Sequence, residues 1–115
     1  MNRKQITRDQ AFHAIETGEF GTDVTASNER VAVLLTQDWC SQFAAMREWV
    51  HTLDRNFDLY ELVYNLVPWF SEFRSFKEGR WKNGLIPYVR YYRNGKLFAE
   101  SNYVSQEEFL RNLGF

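Results

Sequence analysis

The chain has 115 residues, of which 44% are hydrophobic and 17% aromatic, and its formal net charge is −1. This length fits a single domain over residues 1–115 and is too short for two full cores. The aromatic content excludes intrinsic disorder. The near-zero charge argues against a nucleic-acid partner, because phosphate binding needs a concentration of basic side chains. We therefore expect one folded domain with a well-filled core.

No segment of the sequence predicts targeting or membrane insertion. The longest uninterrupted apolar run, residues 31–35, is far shorter than the roughly 20 residues of a membrane span. The N-terminal segment is positively charged without an apolar stretch behind it, so we expect no secretory signal. A single cysteine, Cys40, excludes an internal disulfide. We expect a cytoplasmic, reduced protein, although a mature secreted form has the same features.

The first half of the chain predicts a helix, a buried strand and a second helix. The capping box Thr7-x-x-Gln10 predicts a helix over 8–17. Residues 31–36 lack polar alternation, which is typical of a strand buried on both faces of an α/β sheet. Apolar residues at helical spacing then predict a helix over 41–54.

The middle of the chain predicts another strand and another helix. Apolar residues within 57–67 indicate the strand, and Pro68 suits the first position of a helix that ends at Gly79 or Gly84. Segment 69–81 carries more aromatic side chains than one helix face buries. We interpret most of them as core, and the surplus as an exposed patch that supports a homodimer or a client contact.

An Asn-Gly dipeptide at 94–95 predicts a two-residue β-hairpin near the end of the chain. A hairpin of this kind places Tyr91 opposite Phe98 and Tyr92 opposite Leu97. Both are favourable cross-strand pairs. The dipeptide is the strongest local signal in the sequence.

The complete pattern predicts an α/β fold with the element order α-β-α-β-α-β-β-α. The hairpin strands cover 88–93 and 96–103, and a second capping box, Ser105-x-x-Glu108, begins the final helix. Crossover helices between the early strands imply parallel pairing. The hairpin adds an antiparallel edge, so the central sheet is expected to be mixed.

One combination of motifs points to a known family. A buried strand runs into Trp39-Cys40 at a helix start, and Ile86-Pro87 comes directly before the hairpin and the capped terminal helix. In these features the chain resembles the thioredoxin superfamily, from the first predicted helix to the C-terminus. The resemblance implies a thioredoxin-like three-layer α/β/α sandwich and a thiol–disulfide or redox homeostasis role.

The resemblance also implies a role for each of these residues. Cys40 matches the nucleophilic cysteine, at a helix N-terminus whose free N–H groups and dipole favour a thiolate. Trp39 matches the aromatic residue that lines the site. Pro87 matches the proline whose preceding bond, Ile86-Pro87, is cis in the family and faces the sulfur, and the backbone beside it pairs with an extended substrate strand. The implied partners are protein thiols or disulfides or a low-molecular-weight thiol, with no cofactor, no metal, no nucleic acid and no membrane.

Three parts of the family's dithiol machinery are missing. The Cys-x-x-Cys motif reads Cys-Ser-Gln-Phe over 40–43, so no second thiol resolves a mixed disulfide. The buried carboxylate that accepts a proton in many thioredoxins falls at Leu34. The small residue that lets a substrate approach falls at Tyr103, which we expect to crowd the groove. Phe43, in the place of the second cysteine, is expected to pack in the core.

Cys40 therefore has two interpretations. As a reactive single thiol it attacks disulfides, and an external thiol releases the adduct, which makes the protein a monothiol oxidoreductase. As a relic it belongs to a non-catalytic thioredoxin-fold interaction module. Asp38 lies beside it, and Arg47, the nearest cation in sequence, lies about two turns along the helix, which limits thiol activation. Redox exchange is the leading hypothesis, and the interaction module is the alternative.

The remaining charged residues are assigned structural roles. Neither His13 nor His51 has a further ligand at metal-binding spacing, so we expect both to face solvent. Lys77, Arg80 and Lys82 form a small basic cluster, which we interpret as a solvated face. No metal site is expected.

Arg90 interrupts an otherwise apolar strand. In the predicted hairpin it shares a face with Tyr88, Tyr92, Leu97 and Ala99. Because burying an unpaired guanidinium is costly, this side chain must reach solvent, a carboxylate or a partner. We interpret it as reaching solvent past its aromatic neighbours. A binding face built on Arg90 and the tyrosines is the alternative.

Overall fold

A five-stranded sheet forms the centre of the computed structural model, which describes residues 1–115. Helices cover both faces of the sheet, and none of them is long and apolar enough to cross a membrane. In chain order the elements are β1 (Asn2–Gln5), α1 (Arg8–Thr17), α2 (Thr22–Thr25), β2 (Arg30–Thr36), α3 (Ser41–Val50), β3 (Asp58–Val63), a 3-10 turn (Tyr64–Leu66), α4 (Phe70–Gly79), β4 (Tyr88–Arg93), β5 (Lys96–Ser101) and α5 (Gln106–Asn112).

The sheet is mixed, with the strand order β1-β3-β2-β4-β5. Strand β3 pairs in parallel with β1 and β2, whereas β4 pairs antiparallel with β2 and β5. This arrangement confirms the α/β fold with three layers. The sequence pattern does not predict strand β1, because all four of its residues are polar and exposed at the edge of the sheet. The short helix α2 is a further element without a sequence signal.

Strand β2 contributes alternate side chains to two cores on opposite faces of the sheet. Val31, Val33 and Leu35 pack with α1, α2 and α4. Ala32 and Leu34 pack with α3 and α5. Burial on both faces explains the uninterrupted apolar run, and each Val or Leu contributes about 1.5–3 kcal/mol.

Several predicted boundaries are wrong by a few residues. Helix α3 ends at Val50, and Leu53 packs into its core from the turn that follows. Strand β3 ends at Val63, where the chain enters the 3-10 turn. Helix α4 begins at Phe70 rather than at Pro68. Apolar spacing marks which residues are buried, but it does not mark where backbone hydrogen bonding stops.

A β-bulge alters the register of the predicted hairpin. Tyr92 pairs with Leu97 as predicted, but Tyr91 pairs with Ala99 and not with Phe98. Phe98 is the extra residue, and it is exposed. The bulge moves Ala99 onto the face of Tyr91. Ala99 therefore does not share a face with Arg90 and Tyr92, which corrects the grouping predicted for a regular hairpin.

The aromatic side chains of segment 69–81 are all buried or half-buried, so the predicted exposed surplus in this segment is wrong. The ring centroid of Trp81 lies 4.5 Å from that of Phe76, and its Nε1 donates to the carbonyl of Gly18 at 2.9 Å. Helix α1 and the loop after it provide the extra cover. The exposed aromatic side chains lie elsewhere, at Trp39, Phe98, Tyr103 and Phe115.

Arg90 is buried and binds a carboxylate, so neither interpretation of its side chain is correct. Its Nη2 lies 2.6 Å from Oε1 of Glu19, and Nη1 and Nε donate to the hydroxyls of Tyr88 and Tyr92 at 2.9 Å. The guanidinium carbon lies 4.1 Å from the ring centroid of Trp81. Glu19 comes from the loop after α1, and nothing in the sequence places that loop beside β4.

His51 contacts a buried carboxylate instead of facing solvent. Its Nε2 lies 2.8 Å from Oε2 of the buried Glu61, whose other oxygen lies 2.6 Å from Nε of Arg3. The two residues that hold Glu61 come from the C-terminus of α3 and from the unpredicted strand β1. His13 is exposed as predicted. No group of His, Cys, Asp or Glu side chains is arranged to hold a metal ion.

Lys77 is fully buried, which corrects its assignment to a solvated basic face. Its Nζ donates to the backbone carbonyls of Asn83 at 2.7 Å and Leu85 at 2.8 Å. Burial lowers the pKa of Lys77 to about 8, and the two carbonyl oxygens favour the charged form. Arg80 and Lys82, the other members of the cluster, are exposed as expected.

We expect Lys77→Met to change how stability depends on pH. The pKa of Lys77 is about 8 in the folded state against an ordinary value of 10.5, so between these values mainly the unfolded chain binds the proton. The free energy of unfolding of the wild type should therefore rise, relative to Lys77→Met, by roughly 2 kcal/mol between about pH 7.5 and about pH 9.5.

Urea unfolding of both proteins at the two pH values measures this difference. Tyr64, Tyr88 and Glu78 also face the Lys77 amine, and they are present in both proteins. Lys96→Met, at an exposed position of β5, controls for the loss of a lysine. A difference between wild type and Lys77→Met that stays constant with pH contradicts the prediction.

Candidate functional site

Two chain segments meet at one end of the sheet because β2 and β4 are antiparallel neighbours. Leu35, near the end of β2, pairs with Tyr88, the first residue of β4. The residues that follow β2 and the residues that precede β4 therefore lie side by side. This pairing brings Cys40 close to Ile86, and both line the same cleft.

Cys40 is the N-cap residue of α3. Its Sγ accepts a hydrogen bond from the backbone N–H of Phe43 at 3.3 Å. The free N–H groups of a first helical turn and the helix dipole stabilise negative charge at this position. Because the residue is only 7% exposed, the sulfur lies on the floor of the cleft rather than on the open surface.

The cleft has a volume of about 370 Å³ and an apolar rim. Trp39 is 68% exposed on one side and Leu85 is 66% exposed on the other. Pro87 is buried and does not line the cleft, although its bond to Ile86 is cis. The residues that line the cleft are Trp39, Cys40, Ser41, Gln42, Gly84, Leu85 and Ile86.

The loop that carries Trp39 is held in place by Gln37 and Asn65, two residues that no sequence pattern singles out. Gln37 accepts from Nε1 of Trp39 at 2.7 Å and donates to the hydroxyl of Tyr64 at 3.3 Å. Asn65 accepts from the backbone N–H of Asp38 at 3.0 Å and donates to its carboxylate at 2.7 Å. Burial raises the pKa of Tyr64. These contacts join the loop to the 3-10 turn, and no local motif predicts them.

The structure also locates the residues that replace the dithiol machinery. Phe43 is 6% exposed and packs in the core below α3, as predicted. Leu34 is fully buried in that same core, and its aliphatic side chain cannot exchange a proton. Tyr103 is about half exposed and is not among the residues that line the cleft. The guanidinium of Arg47 lies over the ring of Phe43, 5.6 Å from its centroid.

Solved structures establish the thioredoxin fold for this chain. A mutant thioredoxin from Halobacterium salinarum superposes with a TM-score of 0.66 at 16% identity, covering 97% of this chain and 87% of that chain. Oxidised thioredoxin O2 from Arabidopsis thaliana gives a TM-score of 0.66 at 12% identity, covering 96% and 90%. The glutaredoxin–glutathione complex from buckwheat gives 0.55 at 13% identity, covering 93% and 89%. No family model and no curated protein matches the sequence.

Proposed function

We propose that this protein performs thiol–disulfide exchange through Cys40 alone, with an external thiol releasing the adduct. The observation that carries the proposal is the position of Sγ at the N-terminus of α3, where it accepts the N–H of Phe43 on the floor of a cleft. The exposed Trp39 and Leu85 give the cleft an apolar rim that suits a polypeptide substrate. The fold shared with thioredoxins and a glutaredoxin supports a redox role in general.

The proposed exchange has two balanced steps. The Cys40 thiolate attacks one sulfur of a disulfide RS–SR′, forms the mixed disulfide Cys40–S–SR and expels R′S⁻, which takes a proton from solvent. A thiolate R″S⁻ then attacks the substrate sulfur, forms R″S–SR and releases Cys40 as a thiolate. Phe43 provides no second thiol, so the second step is intermolecular.

Glutathione is the external thiol that we propose. It is the small thiol in the buckwheat glutaredoxin complex. A cytoplasmic location, where glutathione keeps thiols reduced, is part of the same proposal. The substrate disulfide is expected to lie in an extended segment, because a sulfur on a cleft floor is within reach of a narrow chain and not of a convex surface.

A non-catalytic interaction module is the second candidate. Leu66, Trp39 and Leu85 are each about two-thirds exposed at the end of the sheet that carries the cleft, and such apolar exposure favours a protein contact. Complementation of a strain that lacks this protein distinguishes the two candidates. Under the module hypothesis the Cys40→Ser variant should restore the wild-type phenotype, whereas the double variant Trp39→Ala with Leu85→Ala should not. Under the exchange hypothesis Cys40→Ser fails to restore it.

Moving the thiol by one residue tests whether the site activates it. The double variant Cys40→Ser with Ser41→Cys keeps one cysteine but displaces the sulfur from the N-cap position into the first helical turn. We expect it to form a mixed disulfide with oxidised glutathione about tenfold more slowly than the wild type, because the Phe43 N–H no longer faces the sulfur.

Mass spectrometry of the adduct over time measures both rates, and Cys40→Ser alone sets the background. If the displaced thiol reacts as fast as Cys40, the N-cap position does not increase the reaction rate of the cysteine that occupies it. That outcome contradicts the exchange proposal.

Phe43→Cys should restore intramolecular resolution. The new thiol stands three residues after Cys40, as in a Cys-x-x-Cys motif, so it should release the adduct without added glutathione. Loss of the buried ring should lower the free energy of unfolding by about 3 kcal/mol. Phe43→Ser has a similar packing defect without a thiol and serves as the control. An adduct that is equally long-lived in both variants contradicts the prediction.

A further inference from the structure

The wall of the cleft that faces Cys40 is an irregular segment, residues 83–86, between α4 and β4. Within the wall only Ile86 packs against the two cores, since the side chain of Leu85 is 66% exposed and Gly84 has none. The wall has no ladder hydrogen bonds, and a segment of this kind is positioned by whatever else binds its backbone. The N–H of Asn83 donates to the carbonyl of Lys77 at 3.2 Å, and the carbonyls of Asn83 and Leu85 bind two polar side chains from outside the wall.

The first partner is the ammonium group of Lys77, which lies behind the wall. Besides its bonds to the carbonyls of Asn83 at 2.7 Å and Leu85 at 2.8 Å, Nζ lies 3.5 Å from Oδ1 of Asn83. The side chain is fully buried, and no carboxylate lies within ion-pair distance of it. The oxygens of the wall are therefore the only hydrogen-bond acceptors of this charge, while the ring centroids of Tyr64 and Tyr88 lie 5.9 and 5.3 Å from Nζ. Charge-assisted bonds of this kind are about twice as strong as neutral ones.

The second partner is Asn102, which follows β5. Its Nδ2 donates to the carbonyl of Pro87 at 3.0 Å and lies 3.4 Å from the carbonyl of Leu85. Its amide also pairs reciprocally with that of Asn83, at 3.0 and 3.2 Å. Oδ1 of Asn83 accepts the backbone N–H of Leu85 at 3.1 Å. Lys77, Asn83 and Asn102 thus form one network, which we call the clamp.

We propose that Lys77 is a positioning residue for exchange at Cys40, because the clamp fixes the position of the wall, residues 83–86, relative to the sulfur. Lys77 is fully buried and is not among the residues that line the cleft, so it acts through the wall and not on the substrate. A peptide disulfide that docks along the wall is aligned for attack by the Cys40 sulfur only when the wall is held in position. A displacement of about 1 Å is enough to lower the rate of such an attack about 100-fold. This inference rests on the proposed function.

The test compares an extended peptide disulfide with a small thiol-modifying reagent in Lys77→Met and Asn102→Ala. With an extended peptide disulfide, which needs the wall, adduct formation on Cys40 should slow about tenfold in both variants. With methyl methanethiosulfonate, which reaches the sulfur without docking, the rate should stay within about twofold of the wild type. Lys96→Met and Asn28→Ala are the matched controls, since Lys96 is exposed and the hydrogen bonds of Asn28 lie away from the cleft.

Hydrogen exchange of the Leu85 amide gives a readout that does not depend on activity. Because this amide donates within the clamp, its exchange should accelerate about tenfold in Lys77→Met and Asn102→Ala, and not in the controls. If the wild type reacts with neither reagent, the proposed function fails while this readout still tests the clamp. If Lys77→Met does not fold, Asn102→Ala carries the same test.

Two results overturn the inference. One is a folded variant in which neither the hydrogen exchange of the Leu85 amide nor the rate of adduct formation with the peptide disulfide changes. The other is an equal loss of rate with both reagents, which indicates a general structural defect rather than a displaced wall.

Discussion

The antiparallel pairing of β2 with β4 determines which chain segments meet at the cleft. Strand β2 fills both cores with alternate side chains, and this burial fixes its register against its neighbours. The C-terminal end of β2 leads to Cys40, and the N-terminal end of β4 follows Pro87. The cleft is therefore a consequence of strand order, since two segments distant in the chain become adjacent wherever these strands pair.

Two buried cations show how the fold accommodates charge around that sheet. Arg90 is paired with the carboxylate of Glu19 and donates to tyrosine hydroxyls, an arrangement that supports packing of the loop after α1. Lys77 has only neutral oxygens as hydrogen-bond partners. A methionine fills a similar volume without the cost of burying a charge, so the ammonium is better explained by the wall it holds than by stability. The same reasoning does not apply to Arg90, whose charge is balanced by that of Glu19.

Sequence patterns predict the features whose causes are local. The capping box at Thr7, the buried strand β2 and the hairpin at 94–95 each depend on residues close together in the chain, and each is present. The adjacency of Cys40 and Ile86 follows from the family resemblance. The carboxylate that pairs with Arg90 comes from a distant segment. The carbonyls that bind Lys77 lie only six and eight residues along the chain, but the path of that loop has no local signal. Local context therefore predicts exposure where the fold provides burial. Strand β1 and the bulge in the hairpin depend likewise on a neighbouring strand.

We propose that the fold makes Cys40 more reactive than an ordinary cysteine, although the residue is only 7% exposed. The second-order rate constant for reaction with oxidised glutathione at neutral pH tests this, measured for the folded protein and for a synthetic peptide of residues 37–43. The peptide has the same thiol and the same flanking residues but no helix and no cleft. We expect the folded protein to react at least about tenfold faster. A folded protein that reacts no faster than the peptide contradicts this proposal, because the N-cap site would then shield the sulfur instead of activating it.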